Sequence, residues 1–392
     1  CMKLSFKGMH HVTAVTGDVA ANARFYTGIL GLRLVKKTVN QDDLGAYHLF
    51  YADKVGTAGT EMTFFHWPHV PTREHGPGTI RRTLLRIPAG REHVDWWENH
   101  LKNSQVDVSR VAFPAGHPDG HAAVPRGHAA VPRGHDATPG GHDATPGARE
   151  VTPGAREATP GAREALLFSD PEGQQLGLVA DGFDGDSTPW DGGVVPREHA
   201  IRGLLGAEIH SLSASNSVLF LEDYLGFPAA AGVAGDGDRR LLRVETEVSV
   251  AELHIVTADT SPGGQGERVG RAGRGARAGS IPGGAGAGRA GRVGIGGVHH
   301  IAFRVETAGE QEEWLSYLNE RGVPNSGLVD RHYFQSLYFR EPGGILFEIA
   351  TAGPGFLGDE DVEHLGETLS LPPFLESKRQ QIEAGLEPVP AN

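Results

Sequence analysis

The sequence predicts an α+β fold made of four βαβββ units, arranged as two domains with curled mixed sheets. Three observations lead there. A strand, a helix and a set of further strands recur along the chain four times. A doubled histidine opens the first and last copies, in Gly8-Met9-His10-His11-Val12-Thr13 and Val298-His299-His300-Ile301-Ala302. The turn Asp170-Pro171-Glu172-Gly173 matches Glu341-Pro342-Gly343-Gly344 ahead of the last strand of two copies. An internal repeat of this kind decides the fold before any motif does.

The last unit, Gly297 to Gly353, is the clearest. Its first strand carries His299 and His300, and Thr307 is the cap candidate of a helix with Trp314, Leu315 and Leu318 on one face and Gly322 as its stop. A short strand near Leu328 precedes the pair Tyr333 to Phe339 and Ile345 to Ala350, and the latter holds Glu348. In the first unit, strand His10 to Val15 leads to a helix capped by Asp18, with Ala21, Phe25 and Ile29 on one face and Gly31 as its end. Strands follow at Leu32 to Val39, Ala46 to Tyr51 and Glu61 to Phe65.

The second unit starts with Ile80 to Ile87 and has its helix around Trp97 to Leu101. Arg82 stands where the fourth has His300, and Gly177 where it has Glu348, so the scaffold is kept without the ligands. The third unit runs through Glu208 to Leu212, Val218 to Leu225, Arg240 to Glu245 and Ala251 to Val256, and keeps one histidine, His210. Taken in chain order, the units form a first pair over 5–181 and a second over 200–355, followed by a C-terminal tail, 356–392.

Two tracts interrupt the order. A seven-residue pattern, first seen in His121-Ala122-Ala123-Val124-Pro125-Arg126-Gly127, repeats and decays up to Glu164. Proline in every copy forbids a coiled coil, so about 116–164 reads as a flexible insertion. A Gly-, Ala- and Arg-rich stretch, about 261–296, reads as a linker.

A net charge of −13, from 49 acidic against 36 basic residues, argues against a nucleic-acid binder. The one cysteine, Cys1, stands ahead of a start-like Met2, which rules out disulfides within the chain and disfavours thiolate metal sites. With no signal peptide and no apolar span of about 20 residues, the expectation is a cytoplasmic protein that does not engage a membrane. A reducing compartment also suits ferrous iron.

Oxygen chemistry at ferrous iron needs two neutral imidazoles and a carboxylate on one face, with other positions left for substrate and O2. His11, His300 and Glu348 supply that set. Neighbours in a strand point to opposite faces, so one histidine of each pair is the metal ligand and the other sits outside it. His210 competes for the place of His11.

These residues, with the run Asp330-Arg331-His332-Tyr333-Phe334-Gln335-Ser336-Leu337-Tyr338-Phe339-Arg340-Glu341-Pro342-Gly343-Gly344-Ile345-Leu346-Phe347-Glu348-Ile349-Ala350-Thr351, resemble the vicinal oxygen chelate superfamily of glyoxalase I, bleomycin-resistance proteins and extradiol dioxygenases. Within it the chain is most similar to the dioxygenases that cleave hydroquinone rings. The resemblance covers the four units and neither tract. It implies Fe(II), or Mn(II), held by His11, His300 and Glu348, with His10, Thr13, His299, Arg331 and Tyr338 around the substrate and O2. A histidine or Tyr338 would be the acid that protonates the leaving oxygen, and Arg331 would hold an oxyanion or pair with Asp330.

The function expected is ring cleavage of a small aromatic compound by O2. Two alternatives stand beside it: a catechol extradiol enzyme using His210, and a metal-free protein of the same fold that binds an aromatic compound. A glyoxalase-type isomerase fits less well, because such sites use more carboxylates than this chain offers at matching positions. A homo-oligomer is compatible with the sequence.

Overall fold

The computed structural model describes residues 4–114, 162–183, 185–229, 239–256 and 290–389. Three of the four units show the full βαβββ order. They are β1(Met9–Thr16), α1(Val19–Gly28), β2(Arg33–Asn40), β3(Asp43–Ala52), β4(Glu61–His66); β5(Thr79–Ile87), α2(Arg91–Asn103), β6(Ser109–Pro114), β7(Ala162–Ser169), β8(Gln175–Ala180); and, last in the chain, β12(Val298–Val305), α4(Ala308–Glu320), β13(Asn325–Asp330), β14(Phe334–Arg340), β15(Leu346–Pro354). The third unit has β9(Leu204–His210), α3(Ala214–Asp223), β10(Arg239–Glu245) and β11(Val250–Val256), one strand short among the described residues. An isolated bridge from Ala229 to Leu242 lies on β10, where a further strand would pair.

Local chemistry accounts for the helices. Asp18 Oδ1 accepts from the amides of Ala20 and Ala21, satisfying two donors that the first turn of α1 leaves open. Thr307 and Glu310 form a reciprocal capping box on α4, and Trp314 and Leu318 bury the face below it. The largest apolar cluster of the core runs through all four units, from Phe6 and Trp97 to Trp314 and Phe347.

Hydrogen bonding does not follow chain order. β1 pairs antiparallel with β12, and β5 with β9, so one half-sheet joins the first and fourth units and the other joins the second and third. Among the described residues, the strands of the two halves meet in one ladder pair, Val298 with Ile80. The sequence divisions 5–181 and 200–355 are therefore not the groups that share strands.

All four first strands carry a bulge at the same place. In β1 against β12, the register advances from Met9 to His11 while the partner moves by one residue, and from His300 to Val298 in return, so His10 and His299 are the extra residues. Between β5 and β9 the extra residues are Arg81 and Leu205.

The two tracts lie mostly outside the described residues. At their ends they differ from expectation: the last copy of the seven-residue pattern, Ala162-Arg163-Glu164, is already inside β7 and pairs with Pro114 to Ala112. Similarly, 290–296 does not read as linker, since Ile295 and Arg292 bridge to Thr72 and Glu74. Its glycines serve close approach rather than freedom: a Cβ on Gly294 would stand 2.1 Å from the Pro71 carbonyl oxygen.

The tail folds back over the first unit through two short 3₁₀ turns and α5(Arg379–Gly385). It supplies Asp359 and Glu360 to the fully buried ammonium of Lys36 on β2. Phe356 packs with Val35, Phe50, Tyr333 and Phe334 behind the pocket described next.

Candidate metal centre

The bulges and the crossed pairing bring β1, β12 and β15 to one point. His11 Nε2 lies 3.2 Å from His300 Nε2 and 3.2 Å from Glu348 Oε2, and His300 Nε2 is 2.9 Å from the same carboxylate oxygen. All three residues are buried. Adjacent ligands of a cation bound at about 2.1 Å stand roughly 3 Å apart, so the triangle has the size of one face of a metal's coordination shell. Glu348 Oε1 accepts from Ser336 Oγ at 2.5 Å, while Oε2 receives no well-aligned hydrogen bond. A buried carboxylate oxygen aimed at two ring nitrogens with no donor of its own is what a cation among them satisfies, and this donor set can hold a metal ion.

The outer nitrogens are organised as well. His11 Nδ1 lies 3.0 Å from His10 Nδ1, and His10 Nε2 must donate to the Thr351 carbonyl at 3.0 Å, so a neutral His10 accepts from His11. This leaves His11 Nε2 unprotonated toward the triad. The same contact recurs in the fourth unit, with His300 Nδ1 2.8 Å from His299 Nδ1. Strand alternation alone does not predict these contacts, because the bulges at His10 and His299 re-aim the extra residues.

Charge states follow from burial and neighbours. Burial pushes His11 down, yet Glu348, assisted by Glu61, overrides it and leaves the ring above its ordinary value. Burial wins at His300 against the pull of Glu348, and drives His48 well down too. His299 falls to about 3 through burial and the adjacent His300. Burial would raise Glu348, but the charge of His11, with the close approach of both imidazoles, holds it well below the usual carboxylate range. A cation binds the neutral imidazole, so at His300 it meets the state that burial already favours, and at His11 it would displace the proton that Glu348 favours.

A narrow cavity of about 30 Å³ opens beside the triad, walled by Phe50, Phe65, Tyr333 and Phe334. Phe334 packs on the rings of His10 and His11, each at 5.2 Å. Arg331 and Tyr338 also line it, with Arg331 Nε donating to Tyr338 Oη at 3.4 Å. Of the two roles open to Arg331, an oxyanion holder or a partner of Asp330, the second is not seen: its ion pair is with Asp42 at 2.9 Å, from the β2–β3 turn. Asp330 Oδ1 accepts from the His332 amide, and His332 holds a left-handed φ of 72°, which sets the turn that presents Arg331.

Three polar residues of this site escaped the sequence reading. Glu61 Oε2 lies 3.2 Å from His10 Nδ1 and 3.9 Å from His11 Nδ1 and accepts no hydrogen bond. Thr63 shares a 2.7 Å hydrogen bond with Thr13 and meets His48 Nε2 at 3.1 Å. The register that sets Glu348 beside Ala302 sets Thr63 beside Thr13, so Thr63 occupies the place of a fourth ligand. Aligning β4 on β15 is the signal that finds Thr63. His210, the competitor of His11, ends β9 beside Thr79 and belongs to neither metal-capable group found among the described residues.

Paired βαβββ units with a buried histidine and carboxylate set on their inner strands define a class of small-molecule metalloprotein. The chain belongs to the Glyoxalase/Bleomycin resistance protein/Dioxygenase superfamily, whose family model matches residues 8–148 and 213–349. It is 34% identical, over 98% of its length and all of the relative's, to a Bacillus subtilis (strain 168) protein provisionally named as the ring-cleaving dioxygenase MhqA. It is 26% identical to a chlorohydroquinone/hydroquinone 1,2-dioxygenase of Sphingobium indicum, over 96% of this chain and 94% of that one. A solved Bacillus subtilis structure, provisionally named a dioxygenase, matches 100% of this chain and 99% of its own, with TM-score 0.73 and 30% identity. Glyoxalase I from Zea mays, at 12% identity and TM-score 0.51 over 88% of this chain and 92% of its own, shares the fold. Among the described residues no helix is long and apolar enough to cross a membrane.

Proposed function

We propose that this protein is a non-haem Fe(II)-dependent dioxygenase that cleaves a hydroquinone-type ring with both atoms of O2, with Mn(II) as the competing metal. The observation that carries the reading is the buried triangle of His11, His300 and Glu348, with edges of 2.9–3.2 Å, facing an aromatic-walled cavity. The names of the relatives support it. A metal held there would acidify a bound phenol and offer O2 a neighbouring position.

The chain's own residues do the rest. The cavity holds no more than about a water, so Phe50, Phe65 and Phe334 must part to admit the ring, and closing on it they exclude water. Burial, reinforced by Glu348 and only partly opposed by Arg331, raises Tyr338, so its hydroxyl keeps a proton to donate. The guanidinium of Arg331 is placed for an oxyanion once Asp42 yields. His48 lines the cavity as a neutral imidazole that can hydrogen-bond the substrate, His299 holds Nδ1 of His300, and His10 fixes the tautomer of His11. On this reading the working compartment is the cytoplasm and the partners are a small aromatic substrate and O2.

Oxygen uptake by the anaerobically Fe(II)-loaded protein, offered a hydroquinone and a catechol side by side, is the test. Uptake with hydroquinone is expected at one O2 per ring. Uptake with catechol alone, or none despite bound iron, would sink the proposal.

A further inference from the structure

A second cavity, of about 470 Å³, lies on the seam between the half-sheets, where β5 and β12 begin and β9 ends. Its wall carries the guanidinium groups of Arg73, Arg81 and Arg292 and the imidazoles of His75 and His210, against one carboxylate, Glu74. Compensation is thin. Arg73 donates to the Gly173 carbonyl, Arg292 reaches Glu74 only at 4.0 Å, and among the described residues no hydrogen bond or ion pair reaches the Arg81 side chain. Elsewhere in the same half, Arg82, Arg110, Arg163, Arg239 and Arg243 each meet a carboxylate. Concentrated positive charge in a chain of net charge −13 is thus a local construction.

The β5 bulge explains it: Arg82 engages Glu208 inside the half-sheet, and the extra residue Arg81 goes to the seam. Burial, then the charges of Arg73 and Arg81, hold His75 below its ordinary value, which registers the field that an anion entering the cavity would meet. The rest of the wall mixes the apolar Ile80, Val256, Val293 and Val298 with the polar Thr79 and Gln175.

We infer that the seam cavity binds a small organic carboxylate, its charge on Arg81, Arg73 and Arg292 and its carbon skeleton against the valines and Ile80. The apolar part of the wall, Ile80 and the three valines, favours this over inorganic phosphate. Resting on the proposed function, the natural ligand class is the ring-opened acid: one ring C–C bond breaks, both oxygen atoms stay in the product, and a carboxylate ends the chain. The binding itself needs no such activity.

The test is calorimetric titration of the full chain with maleate, with inorganic phosphate and chloride as comparison anions. Saturable maleate binding at one site is expected, weakened about tenfold or more in Arg81→Glu and unchanged in Arg331→Ala, which excludes the metal pocket. Should Arg81→Glu fail to fold, Arg292→Gln on the exposed rim is expected to weaken binding in the same sense. No saturable maleate binding, binding that survives the seam variants, loss in Arg331→Ala, or phosphate bound in preference to maleate would each overturn the assignment. Because titration reads no turnover, a protein inactive as a dioxygenase leaves this result intact.

Discussion

In the half-sheet of the first and fourth units, the bulges place His10 and His299 beside His11 and His300, and the interior ends on Glu348. In the half-sheet of the second and third, the same positions hold Arg81, Leu205, Arg82 and Gly206, and the place of Glu348 is taken by Gly177 and His254. The interior there is closed by charge pairs instead. Arg82 and Arg239 meet Glu208; Arg163, Arg243 and His254 meet Glu252; and Asp181 accepts from Arg163 at 2.5 Å. One backbone thus takes two interiors. A buried carboxylate needs a counter-charge, and where guanidinium groups supply it no cation is called for, while imidazoles leave that role open.

The largest effect that could break this comparison is at the residues proposed to hold the metal. Glu348→Ala and His11→Ala are expected to abolish metal binding, read as metal per chain by emission spectrometry, and His210→Ala to keep it. Metal retained at one per chain in Glu348→Ala would contradict the contrast.

In the ion-paired half, Glu252→Ala is expected to cost on the order of 3–5 kcal/mol in urea unfolding, since it leaves Arg163 and Arg243 buried without their partner. Metal stoichiometry should not move. The same carboxylate gives a pH signature. Burial would raise it, but the hydrogen bond from His254 and the charge of Arg163 hold it down to about 2 against an ordinary 4.5. Its contribution is therefore present above pH 4.5 and lost as pH falls toward 2, and Glu252→Gln should flatten that part of the stability profile. An unchanged acid limb would show that this network does not govern acid stability.

A smaller effect sharpens the comparison from the metal side. Glu61 and Glu252 stand at equivalent register, opposite His11 and Gly206 respectively. One braces a histidine pair and the other neutralises arginines. Glu61→Gln is expected to weaken metal affinity about 10- to 100-fold in a chelator competition while leaving one metal per chain at saturation. Affinity equal to wild type would make Glu61 a bystander.

The repeat made much of this legible. Two doubled histidines and a Glu on a matching last strand pointed to His11, His300 and Glu348 because identity and spacing are sequence properties. Register is not. The bulges at His10, Arg81, Leu205 and His299 carry no composition signal, and neither does the pairing of first unit with fourth, which depends on which strand edges meet in space. Glu61, Thr63 and His48 stayed hidden because each is a single polar residue in an otherwise ordinary strand. The glycines of 290–296 misled for a related reason: a glycine chosen for flexibility and one chosen for close contact are written identically.

The crossed pairing also has a consequence in time. The chain closes like nested brackets, the second and third units inside and the first and fourth outside, with 289 residues between His11 and His300. At about 5–20 residues per second, roughly 15–60 s of synthesis separate the two histidines, and the tail that backs their pocket follows later still. The inner pair can be complete on the ribosome while β1 waits for β12. The centre with the most chemistry is then the last to assemble, and nascent chains arrested before Val298 should capture no metal at it.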